Sequence, residues 1–332
     1  MSRAYTEAGV DVAAGELAVA LFRDRLSRTG NLAGEFGALI EIPERMRRPV
    51  VVTSTDGVGT KTEIARRMGR LGTIGQDLVA MCADDVVCHG AQPAYFLDYI
   101  AVGKLNPQTV ARLVEGVGEA CESIGCALVG GETAEHPGLM PDDAFDLAGF
   151  CIGFVERDEL IDASASRAGD LIVGMASNGL HSNGYSLIRR LVDRDRLALT
   201  DDLLAPTRLY APAVLSVVAQ LKARGLRLGG LAHVTGGGLA RNLPRALGDD
   251  LAAVIHPGSW VVPEIFETVR RAALMTEEDM RATFNCGVGF AAVVEPAAAD
   301  LAVELSGQHG IEAWVIGEVE PVASVGERYV EA

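Results

Sequence analysis

The run Asp56-Gly57-Val58-Gly59-Thr60-Lys61 brings a carboxylate, two glycines and a lysine into one turn, directly after the β-branched stretch Val50-Val51-Val52-Thr53. Glycines let a backbone take positive φ and approach an anion closely, leaving amide N–H groups free for phosphate oxygens. Lys61 adds a positive charge. Asp56 would repel a phosphate, so its presence implies a bridging Mg²⁺, which prefers carboxylate and phosphate oxygens. The turn is not a P-loop, because the glycine spacing differs and Thr60 precedes the lysine. A plain strand-to-helix connection with a solvated lysine is the competing reading.

Two further segments extend the acidic theme. Residues 77–90 carry apolar positions at helical spacing, with Asp77, Asp84 and Asp85 among them. Asp77 and Asp84 are about two turns apart and share one helix face. Carboxylates in a mostly apolar helix must be solvated, paired or bound to a cation. Leu128-Val129-Gly130-Gly131-Glu132-Thr133 then ends another strand candidate in glycines and an acid. Asp56, Asp85 and Glu132 together form a candidate Mg²⁺ cage for a nucleoside triphosphate.

In the second half, Ser177-Asn178-Gly179-Leu180-His181-Ser182-Asn183-Gly184 leads into a helical pattern, and His233-Val234-Thr235-Gly236-Gly237-Gly238 leads into another. Ser182 or Asn183 can cap its helix or serve an anion site. His181 can carry a proton or simply hold a hydrogen bond. The three glycines can form a phosphate cradle or a flexible loop.

These turns need elements to position them. Strand candidates at 50–54, 94–102, 126–130 and 146–155 alternate with helix candidates at 60–69, 75–89 and 107–124. A small polar stretch at 158–169 separates them from a second set: strands from 170 and near 251–255, 287–294 and 313–318, helices near 182–193, 207–224 and 262–273. The reading is an α/β (α+β) chain of two domains, 1–165 and 166–332. With 332 residues, 49% of them hydrophobic, both domains can hold a core.

Composition narrows the partners. A net charge of -16 argues against general affinity for nucleic acid or anionic membrane, so a polyphosphate must be held locally. No apolar run approaches the roughly 20 residues of a membrane span, and the first residues lack a secretory core, so a cytoplasmic location is expected. The six cysteines include no Cys-x-x-Cys pair and read as small buried thiols rather than zinc ligands.

Taken in order, the motifs at 5–11, 54–61, 77–82, 130–135, 181–186, 233–238 and 284–289 resemble the phosphoribosylformylglycinamidine cyclo-ligase family, also called aminoimidazole ribonucleotide synthetases. The resemblance runs from about Tyr5 to the strand near Trp314. It implies an ATP-dependent closure of formylglycinamidine ribonucleotide to aminoimidazole ribonucleotide, with ADP and phosphate released, in purine synthesis. It implies a homodimer whose N-terminal mixed sheets and helices form a barrel-like interface, with the ATP site at that end and a C-terminal α/β domain closing over the substrate. Lys61, His181 and His233 are then the catalytic candidates. ATP falls to Phe36, Gly37, Asp56, Gly57, Gly59, Thr60 and Lys61, and Mg²⁺ to Asp56, Asp85 and Glu132. The ribonucleotide falls to Ser182, Asn183, Gly236, Gly237 and Gly238. One departure is that Glu35 interrupts the glycine run that the family usually carries before Phe36-Gly37. Selenophosphate synthetases and thiamine-phosphate kinases share the ATP half, and a non-catalytic ATP-binding subunit is a further reading. The first of these usually has a reactive cysteine near the N-terminus, whereas the earliest cysteine here is Cys82.

Overall fold

Residues 37–332 and the single position Leu17 are described by a computed structural model of the chain. The motif at 5–11 and the lid residues Glu35 and Phe36 lie outside the described residues.

The first half runs β1 (Pro49–Gly57), α1 (Lys61–Met68), α2 (Ile74–Val87), β2 (Gln92–Val102), α3 (Pro107–Ser123), β3 (Ala127–Glu135) and β4 (Phe145–Glu156). β2 buries Phe96, Asp98, Ile100 and Val102 and leaves Leu97, Tyr99 and Ala101 half-buried, so one face of the sheet is packed. α2 and α3 cover that face. They cross at Gly75 and Gly116, where a Cβ on Gly75 would lie 2.1 Å from the Val117 nitrogen. α3 starts at Pro107, with the Asn106 side chain accepting the Thr109 N–H as an N-cap.

The strand order is β1-β4-β2-β3, with β2 and β3 parallel and the other pairs antiparallel. This corrects the expected barrel-like form. Among the described residues β1 and β3 end the sheet without pairing to each other, and neither sheet closes. The face opposite α2 and α3 carries Val51 and Phe150, 52% and 45% exposed, with Leu97 in register beside Phe150.

The second half runs β5 (Leu171–Ala176), α4 (Tyr185–Asp193), α5 (Ala211–Ala223), β6 (Leu228–His233), α6 (Gly238–Asn242), β7 (Leu251–Ile255), α7 (Glu264–Ala273), α8 (Glu277–Thr283), β8 (Val288–Val294), α9 (Ala299–Gln308), β9 (Ala313–Pro321), α10 (Val322–Val325) and β10 (Tyr329–Glu331). Its mixed sheet has the order β10-β7-β9-β5-β8-β6, and β8 is buried along its whole length. Both β5 and β6 run antiparallel to β8 between them, so the turns after β5 and β6 emerge at the same edge. No helix among the described residues is long and apolar enough to cross a membrane. All six cysteines are free, and five of them are buried.

Candidate functional site

α2 is buried on nearly every side, and its acids reach across to the second half. The Lys61 ammonium, at the start of α1, donates to Asp77 Oδ1 at 2.8 Å, to the His181 carbonyl at 2.9 Å and to the Ala205 carbonyl at 2.7 Å. Asp77 Oδ1 also accepts from the Thr207 N–H and hydroxyl. Burial lowers the Lys61 pKa, and the charge and hydrogen bond of Asp77 oppose that fall. One helical heptad later, Asp84 accepts the N–H groups of Tyr210 and Ala211 and so caps the start of α5. Burial pushes its carboxyl up to about 7. Asp77 and Asp84 thus share a face, as their spacing requires. Lys61, expected at the phosphates, instead has all three ammonium donors on protein oxygens.

Asp85 turns to β6. Its Oδ1 lies 3.0 Å from His233 Nδ1, and His233 Nε2 is buried with no hydrogen-bond partner among the described residues. Burial pulls the His233 pKa down. The Asp85 hydrogen bond and the charges of Asp84, Asp85 and Asp56 outweigh burial and hold it above the ordinary value. Loss of solvation raises Asp56, at the end of β1; the Gly57 N–H opposes that rise, the Asp85 charge adds to it and His233 opposes it. Asp56, Asp85 and His233 therefore form one electrostatic group.

Glu132 stands apart from that group. A Cβ on Gly131 would meet Asp98 Oδ1 at 1.8 Å, so Gly131 faces the helix-covered side. Glu132, one residue on and in register with Tyr99, faces the open side. Strand alternation separates it from Asp56 and Asp85 within one chain. No cluster of three acidic, His or Cys side chains suited to a metal occurs among the described residues.

The turns after β5 and β6 meet over β8. His181 holds φ 59° and is buried, its Nε2 lies 3.0 Å from Asn178 Oδ1, and its Nδ1 has no partner. Burial, followed by the charges of His233, Lys61 and Arg208, holds its pKa well below the ordinary value. Gly289 of β8 makes room for it, since a Cβ there would lie 2.5 Å from His181 Cε1. Ser182 and Thr207 share a hydroxyl contact at 3.0 Å, which ties Ser182 to the Lys61–Asp77 cluster. Asn183 lies beside Gly236: its Oδ1 would be 3.4 Å from a Cβ there. Gly238 admits no side chain, since a Cβ there would lie 2.0 and 2.6 Å from the carbonyl oxygens of Arg281 and Phe284, and its N–H donates to the Thr235 carbonyl. Gly237 takes positive φ as the N-cap of α6, with the Arg241 chain against it. In the first turn Gly59 has φ 68° and open space around it, Gly57 packs against the Leu147 carbonyl, Thr60 Oγ1 lies 3.4 Å from Ser186 Oγ, and Gly37 is exposed.

Three residues enter that motif reading passed over. Asn285 is buried, accepts from the Ser177 hydroxyl and the Gly287 N–H, and donates to the Gly179 carbonyl, so it shapes the His181 turn. Asp98 lies in a cross-sheet row with Asp56, Gly149 and Gly131, is only 7% exposed, and has an Oδ2 without a partner among the described residues. Burial pushes it up to about 7. Arg245 lines a cavity of about 470 Å³ between the halves, together with Ser54, Asp85, His89 and His233. Asn285 follows Phe284 inside a quoted motif. Asp98 is signalled only as a lone acid in an apolar strand run, and Arg245 has no comparable signal.

Comparison with known proteins matches two family models: AIR synthase related protein, N-terminal domain, over residues 34–155, and AIR synthase related protein, C-terminal domain, over residues 167–329. A phosphoribosylformylglycinamidine cyclo-ligase of Burkholderia pseudomallei (strain 1710b) is 43% identical over 329 residues, spanning 95% of this chain and 92% of its own. One of Paraburkholderia xenovorans (strain LB400) is 42% identical over 334 residues, spanning 96% and 93%. The crystal structure of thiamine-monophosphate kinase from Stenotrophomonas maltophilia K279a is similar at a TM-score of 0.68 and 18% identity, over 94% of this chain and 95% of that one. That last likeness is one of fold.

Proposed function

The chain belongs to the phosphoribosylformylglycinamidine cyclo-ligase family, and from this premise we infer that it closes formylglycinamidine ribonucleotide to aminoimidazole ribonucleotide with ATP, in purine biosynthesis. The observation that carries the reading is a likeness extending through both halves, at 43% identity over 95% of the chain. A thiamine-phosphate kinase reading rests on fold alone.

The reaction needs the formyl oxygen to become a leaving group. Transfer of the γ-phosphoryl to that oxygen releases ADP; the neighbouring nitrogen then bonds to the carbon, the C–O bond breaks, and phosphate leaves with the oxygen while the nitrogen loses a proton. Positioning and charge neutralisation dominate such a reaction. We assign the proton to His233. Asp85 fixes its Nδ1, and its Nε2 has no partner among the described residues. His181 is kept neutral by burial, and the two histidines are pushed in opposite directions, the arrangement expected of an acid–base pair. Asn183 and Gly236 are assigned to the substrate, and the amides around Gly57 and Gly59 to the ATP phosphates. Lys61 and Ser182 act by joining the halves.

Asp56 and Asp85 fit Mg²⁺, which commonly binds one or two carboxylates along with substrate phosphates. They are hard oxygen donors, and the Asp85 charge adds to the rise that burial gives Asp56. Mg²⁺ bound there would neutralise the polyphosphate. The homodimer is supported by the uncovered sheet face around Val51, Leu97 and Phe150. Glu132 lies on that face, so it is assigned to the site of a second copy. Six free thiols agree with a reducing, cytoplasmic setting.

The test is formation of the aminoimidazole product from the formylamidine ribonucleotide with ATP and Mg²⁺, run beside thiamine phosphate. Product from the first alone supports the reading; phosphorylation of thiamine phosphate without ring closure overturns it.

A further inference from the structure

The free edges of β1 and β6 border the cavity between the two halves, and Arg245, in the turn after α6, supplies the cation on its wall that has no acidic partner. Arg66, Arg67, Arg227, Arg270 and Arg281 each sit on carboxylates. Among the described residues no ion pair joins Arg245 to an acid, including Asp85 and Asp162, which line the same cavity. Its side-chain contact is a 3.4 Å approach of Nη1 to Asn242 Oδ1. Asn242 is itself buried and anchored, since its Nδ2 donates to the Gly238 carbonyl at 2.8 Å. The guanidinium is tethered by this one long contact, and most of its five donors stay free. In a chain of net charge -16, an arginine beside a cavity with no acid paired to it is matched to an anion brought by a ligand.

The same cavity holds His233, whose buried Nε2 has no partner among the described residues. Its volume of about 470 Å³ lies in the ordinary range for a small-molecule site. The Gly238 N–H already donates to the Thr235 carbonyl at 3.1 Å, and Asp85 repels a phosphate. We propose that Arg245 binds the 5′-phosphate of the ribonucleotide substrate, so that the reacting formylamidine lies toward Asp85 and His233. This rests on the cyclo-ligase reading for the substrate's identity, whereas a phosphate monoester site at Arg245 is testable without turnover.

Calorimetric titration with ribose 5-phosphate, ribose and ATP would be carried out on the full chain and on Arg245→Ala and Arg245→Lys. Arg245 is exposed, so both variants should keep the parent melting temperature. Affinity for ribose 5-phosphate should fall about tenfold to a hundredfold in Arg245→Ala, the range for a charge-assisted hydrogen bond, and less in Arg245→Lys. Ribose should be indifferent to the change, and the ATP affinity should hold. In turnover the loss should fall on KM for the ribonucleotide rather than KM for ATP. Equal ribose 5-phosphate affinity in Arg245→Ala and parent, no binding by the parent, or a loss confined to ATP would each overturn the proposal. Absent ring closure with ribose 5-phosphate binding intact would instead strike the assigned reaction.

Discussion

Lys61 Nζ and Asp77 Oδ1 lie 2.8 Å apart, and neither side chain has any exposed surface. Their other hydrogen bonds go to His181, Ala205 and Thr207, so the pair joins the ends of α1 and α2 to the second half. Such a pair is strongly destabilising to break, because the survivor is left charged and buried.

Lys61→Met should therefore destabilise the chain by about 3–5 kcal/mol, measured by urea unfolding. Lys61→Met combined with Asp77→Leu should recover part of that loss. If the single variant unfolds like the parent while ATP affinity collapses, the lysine belongs to the phosphate site after all.

Asp98 gives a pH signature. Its folded pKa is raised to about 7, so the folded chain binds a proton more tightly than the unfolded one, and stability falls as pH rises from about 4 through 7. Asp84, also raised to about 7, adds in the same direction. Asp98→Asn removes one of these two contributions. Relative to the parent it should gain about 2–4 kcal/mol between pH 4 and pH 8, read from paired unfolding curves. Parallel pH profiles for the two chains would show that Asp98 finds a partner.

Asp85 and Glu132 face opposite sides of the first sheet, so the proposed dimer makes a distinctive claim. Asp85→Ala and Glu132→Ala should each remove most turnover, with Asp85→Ala also raising the Mg²⁺ requirement. Unfolding and refolding the two variants together should restore about a quarter of parent activity, since half the dimers are mixed and each then has one intact site. No recovery would place both carboxylates in the site of one chain.

The sequence made some of this legible and hid the rest for physical reasons. Asp77 and Asp84 share a face because a heptad spans two helical turns, a local property. The β5 and β8 runs were plain from their apolar residues. β6 was missed because two of the six residues in Leu228–His233 are glycine. The burial of Lys61 is not legible, because its partners His181 and Ala205 lie 120 and 144 positions away and nothing near the lysine signals it. Asp98 was absorbed into the apolar run Phe96-Leu97-Asp98-Tyr99-Ile100, although a lone acid in a buried strand is itself a signal. The barrel expectation came from the resemblance, and the open strand order of one chain does not bear it out.

The central claim is that the formyl oxygen leaves as phosphate while His233 and Asp85 hold the reacting end. Substrate carrying ¹⁸O at the formyl oxygen tests this directly, with the released phosphate analysed by mass spectrometry after a single turnover. The account requires one ¹⁸O in each phosphate formed alongside the aminoimidazole product. Label recovered in water, with unlabelled phosphate and the same product, would contradict it.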